Sequence, residues 1–144
     1  MDDRPAVPFS LASTFAFLQD GGNAPLVARS AEFWRDLSSG NPQSPGAALV
    51  ARGDGWLVSV YTVGQDTPTW EMHPAGDELL VSLTARMDLV LDFPDGARTI
   101  ALDPGQACLV PRGVWHRQVV RSPGTYLGAT YGKGTSHRPV RSEG

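Results

Sequence analysis

The sequence predicts an all-β fold, a closed or two-sheet antiparallel barrel behind a short helical N-terminal segment. Three observations carry this. From Ala47 onward the chain runs in short apolar stretches of strand length. Turn signals separate most of them: Gly53-Asp54-Gly55, Pro94-Asp95-Gly96, Asp103-Pro104-Gly105 and Ser122-Pro123-Gly124. Within Met87–Phe93, Met87, Leu89, Leu91 and Phe93 alternate with Asp88 and Asp92, the pattern of a half-buried strand. Many short strands at even spacing suit a barrel, and the 16 glycines and 12 prolines scattered between the runs suit its turns.

The elements follow in order. An irregular, proline-containing arm runs to about residue 9. Ser10–Gln19 reads as a helix or a strand, with Leu11, Phe15 and Leu18 at helical spacing. Asp20-Gly21-Gly22-Asn23 is a break. Ser30 is the expected N-cap of a short helix carrying Phe33, Trp34 and Leu37, which stops at Ser38-Ser39-Gly40. Asn41–Gly46 reads as a proline-rich loop. Nine strands are then expected: Ala47–Arg52, Trp56–Val63, Thr69–His73, Glu78–Thr84, Met87–Phe93, Ala97–Leu102, Ala107–Pro111, Val114–Arg121 and Thr125–Tyr131. This divides one domain into an arm and helix over 1–46, a barrel over 47–131 and a partly ordered tail over 132–144.

Composition bounds the function. A chain of 144 residues can bury a real core, and 41% hydrophobic with 19% charged residues fits a globular domain. A net charge of -3 argues against a general nucleic-acid binder. No apolar run nears the ~18 residues of a membrane span. The acidic start, MDDRPAVPFS, lacks the positive charge of a signal peptide, so a cytoplasmic location is expected. Cys108 is the only cysteine and reads as a small buried side chain. Six of the 12 lysines and arginines lie between Arg112 and Arg141. Arg117 and Arg121 alternate away from His116, so they point out of a barrel into which His116 points.

The chemistry-bearing residues are Glu71, His73, Glu78 and His116. In a strand Glu71 and His73 face the same side; so do Glu78, Leu80 and Ser82, and then His116, Gln118 and Val120. Closing these faces around one pocket makes His73, Glu78 and His116 a two-histidine, one-carboxylate set with positions left open for water, oxygen or substrate. Glu71 is then a fourth ligand, or a free base beside the ion. Leu80, Ser82 and Gln118 are the candidates for substrate contact. One divalent ion is expected; zinc, manganese, iron and nickel all suit these ligands. His137 reads as a surface residue of the tail, and Trp34, Trp70 and Trp115 as core or interface residues.

The same residues carry a family resemblance. Gly105, Pro111, Gly113 and His116 match the second cupin motif up to its histidine, and Val120 replaces its closing asparagine. Gly64, His73 and Glu78 stand for residues of the first cupin motif, whose first histidine is Glu71 here and whose closing glycine is Ala85. The chain thus resembles small single-domain bacterial cupins over about a third of its length. The resemblance implies a cupin jelly-roll β-barrel, an interior metal pocket and a homodimer paired through its sheets; some cupins have lost the metal. The apolar segment Phe9–Leu37, with its tryptophan, adds to the dimer expectation as a cover for an edge or a neighbour.

The expected function is a metal-dependent enzyme acting on an organic small molecule. In one class the ion polarises a carbonyl or enol and Glu71 moves a proton, giving isomerase, cyclase or lyase chemistry. In a second, Fe(II) activates oxygen and the protein is an oxygenase. A third, non-catalytic reading is a small-molecule binding or sensing module. Neither nucleic acid nor membrane is expected as a partner.

Overall fold

The computed structural model describes residues 6–141; the outermost parts of the expected arm and tail lie outside the described residues. Eleven strands among them form two antiparallel sheets. One sheet has the order β2-β1-β3-β10-β5-β8, built from β1 (Thr14–Gln19), β2 (Leu26–Ala28), β3 (Gly55–Val63), β5 (Glu78–Ser82), β8 (Ala107–Val110) and β10 (Gly124–Thr130). The other has the order β11-β4-β9-β6-β7, built from β4 (Thr69–Met72), β6 (Arg86–Phe93), β7 (Gly96–Leu102), β9 (Trp115–Ser122) and β11 (Ser136–Pro139). Two short helices, α1 (Phe33–Ser38) and α2 (Pro45–Arg52), cover one end. The arrangement is the two-sheet jelly roll expected from the sequence.

The alternation in β6 does what its pattern requires. Met87, Leu89 and Leu91 are buried between the sheets and join Leu80, Leu102 and Val110 in one core cluster. A second cluster lies under the helices, where Phe15 and Phe17 of β1 meet Phe33, Leu37, Val50 and Leu57. Phe15, Phe33 and Trp34 pack edge to face or tilted, with ring centroids 4.6–5.8 Å apart. Burial of six such side chains, at roughly 1.5–3 kcal/mol each, fixes the helices to the barrel end.

Two element readings are corrected, and two are filled in. Ala47–Arg52 is not a strand but most of α2. Ser44 caps it, accepting from the Ala47 N–H at 3.4 Å, and Pro45 opens it, so the apolar run Ala47–Val50 winds into a helix. Ser30 is not the cap of α1; that place belongs to Glu32, which makes no side-chain capping bond, while the Ser30 carbonyl accepts from Phe33 at 3.2 Å. Within Ser10–Gln19, Thr14–Gln19 is strand, because pairing with β3 outweighs the helical spacing. The chain after Gly132 contains β11, registered on β4 with Arg138 opposite Trp70 and His137 opposite Glu71.

Arg121 points outward as parity requires and bonds Asp88 and Asp103, each at 2.9 Å. On the same outer face Arg138 stacks over Trp70 and Trp115, and Arg117 over Trp70.

Candidate metal centre

Two turns bring the ligand candidates together. Gly113, at φ 79, closes the Pro111-Arg112-Gly113 turn in a conformation that suits glycine. Its N–H donates to the His73 carbonyl at 2.9 Å, and the Arg112 N–H donates to Asp77 Oδ1 at 2.9 Å. The turn before β9 is thereby tied to the turn before β5. Across the other pair of strands, Glu71 of β4 stands in register with His116 of β9. Glu78 faces them from the opposite sheet.

The result is a compact group. One ligand atom from each of Glu71, His73, Glu78 and His116 lies within 4.8 Å of the others. Glu78 spans the imidazoles: Oε2 is 3.2 Å from His73 Nε2 and Oε1 is 3.0 Å from His116 Nε2. Glu71 Oε2 stands further off, 3.6 Å from His73 and 3.9 Å from His116. His73, Glu78 and His116 are 3%, 5% and 2% exposed, whereas the Glu71 side chain keeps 32% of its surface.

Surrounding groups orient the donors. His116 Nδ1 donates to the Val114 carbonyl at 3.0 Å, which aims Nε2 inward. His73 Nδ1 meets Thr135 Oγ1 at 2.8 Å, and Thr130 Oγ1 donates to Glu78 Oε2 at 2.5 Å. His73 Nε2 is buried and close to two carboxylates, yet it is in hydrogen-bond geometry with neither. A buried imidazole nitrogen beside two carboxylates and bonded to neither fits a divalent cation, and the donor set of two imidazoles and two carboxylates balances its charge. The group can hold one.

Electrostatics agree. Burial by itself lowers the His73 pKa, but the nearby carboxylates of Glu78 and Glu71 outweigh it and push it up to about 10. His116 is likewise pulled down by burial and raised further by Glu78. Burial favours the neutral form of Glu78, and the His73 charge with the hydrogen bond to His116 overcomes this, to about 2. Glu71 is held well below the carboxylate range; against burial stand the hydrogen bond to His137 and the charges of His73 and His116.

A cleft of about 200 Å³ opens on the group. Leu80 and Gln118 line it, as expected from strand parity. Ser82 does not reach it: its hydroxyl donates to the Ala85 carbonyl and is fully buried. Trp34, Tyr61, Tyr126, Gly128 and Thr130 complete much of the wall, though no motif in the sequence singles them out. His137, expected on the surface, meets Glu71 Oε1 at 3.2 Å through Nε2, and Ser38 Oγ at 3.2 Å through Nδ1. A short polar strand, Ser136-His137-Arg138-Pro139, gave no periodic signal by which to place it.

Eighty-nine chains of solved structures match this chain. A hydroquinone 1,2-dioxygenase from a Sphingomonas species, solved with 4-hydroxybenzoate bound, aligns at 15% identity and TM-score 0.45 over 52% of this chain and 58% of its own. A cupin-2 domain protein from Shewanella frigidimarina aligns at 18% identity and TM-score 0.43 over 58% of this chain and 71% of its own. Oxalate oxidase in complex with glycolate aligns at 14% identity and TM-score 0.47 over 64% of this chain and 48% of its own. The matched region spans about half to three-fifths of the two enzymes' own length, and the likeness concerns their fold. No protein-family model matches the chain, and no curated protein matches it. Among the described residues no helix is long and apolar enough to cross a membrane.

Proposed function

We propose that this cupin is a metal-dependent enzyme that moves a proton on a small organic molecule, in isomerase, cyclase or lyase fashion. His73, Glu78 and His116 hold the ion, and Glu71 is the general base. The observation that carries this reading is the division of Glu71. Its Oε2 lies at the edge of the metal group, further from both imidazoles than Glu78 is, while Oε1 is engaged by His137. Glu71 also lines the open cleft and keeps part of its surface exposed.

When bound, the ion supplies Lewis acidity towards a carbonyl or enolic oxygen. The chain's own residues do the rest. Glu78 is enclosed and satisfied on both oxygens, which suits a fixed ligand. Glu71 lines the cleft with Oε1 held by His137, which leaves Oε2 placed to accept a proton from carbon or hydroxyl. His137 holds the other oxygen and keeps the carboxylate turned to the cleft. Trp34, Tyr61 and Tyr126 wall the cleft and limit water within it.

Solvent deuterium exchange tests this. The zinc- or manganese-loaded protein is incubated in D₂O with a panel of small hydroxy-ketones and enolisable ketones, and carbon-bound deuterium is read by NMR. One or more compounds should exchange, and Glu71→Gln should slow exchange by roughly 100-fold or more while metal content stays near one per chain. Parallel loss of metal in Glu71→Gln would make Glu71 a ligand instead. Oxygen uptake by the Fe(II) protein with the same panel would favour the oxygenase.

A further inference from the structure

The cleft carries an unsatisfied recognition group besides the carboxylates. Gln118 is 6% exposed and lines the cleft, and its Oε1 has no hydrogen-bond partner. A buried amide oxygen left without a donor costs free energy unless something supplies one. Tyr126 lines the same cleft, and burial raises its phenol pKa, so its hydroxyl keeps its own proton while Gln118 Oε1 stays a free acceptor.

The walls define the rest of the ligand. The rings of Tyr61 and Tyr126 stack 5.2 Å apart at 18°, giving a flat aromatic surface. Between Leu80 and Ser59 in the register stands Gly128, where a Cβ would meet only ordinary contacts at 3.4–3.8 Å, so the floor is bare by the choice of residue. A volume of about 200 Å³ falls below the roughly 300–1,000 Å³ of drug-sized pockets and suits about one ring. The two arginines beside the cleft are engaged: Arg117 lines it with its guanidinium over Trp70, and Arg29 lies over the Tyr61 ring and bonds Ser59, Val60 and Ala12. The two carboxylates of the metal group already match a divalent charge.

We infer that Gln118 and Tyr126 form a recognition pair for a small, flat, uncharged molecule bearing a hydroxyl group, which donates to Gln118 Oε1 and accepts from the Tyr126 hydroxyl. This deepens the proposed function and rests on it for the reacting end of that molecule. Phenol, anisole and benzoate are the probes, titrated by NMR into the zinc-loaded full chain. Phenol should bind about tenfold or more tightly than anisole, which lacks the donor, and more tightly than benzoate. Gln118→Met keeps the bulk and removes the acceptor, so the phenol-to-anisole ratio should fall towards one. Gly128→Leu fills the floor and should abolish binding of both while zinc content is retained. Equal binding of phenol and anisole to the wild type, a ratio unchanged in Gln118→Met, tighter benzoate than phenol, or no phenol binding at millimolar concentration each overturns the inference. Failure to take up zinc would sink the proposed function alone, since the phenol and anisole comparison runs equally well without it.

Discussion

Glu78 and His73 set opposite demands on pH. In the metal-free protein the His73 pKa rises from 6.5 to about 10, so its contribution to stability is fully present below pH 6.5 and is lost as pH rises through 10. The Glu78 pKa falls from 4.5 to about 2, so its contribution is present above pH 4.5 and is lost as pH falls through 2. Both hold together between pH 4.5 and 6.5. Thermal melts in a chelator should therefore peak in that window and decline towards pH 9. A metal ion takes the place of the imidazole protons, so loading with zinc should release protons and shift the best pH upward. Melts of chelated protein that are flat, or higher at pH 9 than at pH 5.5, would contradict this. Of these residues, His73, Glu78 and His116 were legible in the sequence, because chemistry at fixed spacing survives without a structure. Thr130, Thr135 and His137 were not, because what they do depends on the strands that bring them to Glu78, His73 and Glu71.

Strands β6 to β10 were readable because each carries its own alternation or is bounded by Gly and Pro turns. β2, α2 and β11 were not. The apolar run at Ala47 reads the same for a buried strand and a short helix; the deciding signal, Ser44 before Pro45, lies inside what looks like a loop. β11 has no pattern at all, and only pairing with β4 makes it a strand. That pairing has a chemical effect, since Thr135 leads into β11 and holds His73 Nδ1. Thr135→Val keeps shape and burial but removes the partner. Metal affinity should drop by about 10–100-fold, as for other residues that orient a ligand, read by competition with a chromophoric chelator. An unchanged affinity would mean that β4 alone positions His73.

At the scale of the molecule, the outer face of the six-stranded sheet is apolar across its width. Leu26, Ala16, Val58, Ala129, Leu79 and Leu109 follow one another through the register of six strands. Leu26 is 50% exposed and Leu109 65%, and Leu18 and Trp56 stand exposed beside them. A face of this kind suits a second copy of itself. Light scattering at micromolar concentration should give twice the 15.4 kDa chain mass, and Val58→Arg should return the monomer. A wild-type monomer would assign the face another use. The topology also fixes a sequence of events. β10 arrives late in the chain yet lies between β3 and β5, so it alone joins the two halves of its sheet. Until it docks, Glu78 lacks Thr130, and until β11 follows, His73 lacks Thr135. Such distant pairings make for slow folding. The ligand group is thus among the last things the chain completes, and a bound ion acts on how slowly the protein comes apart rather than on how fast it forms.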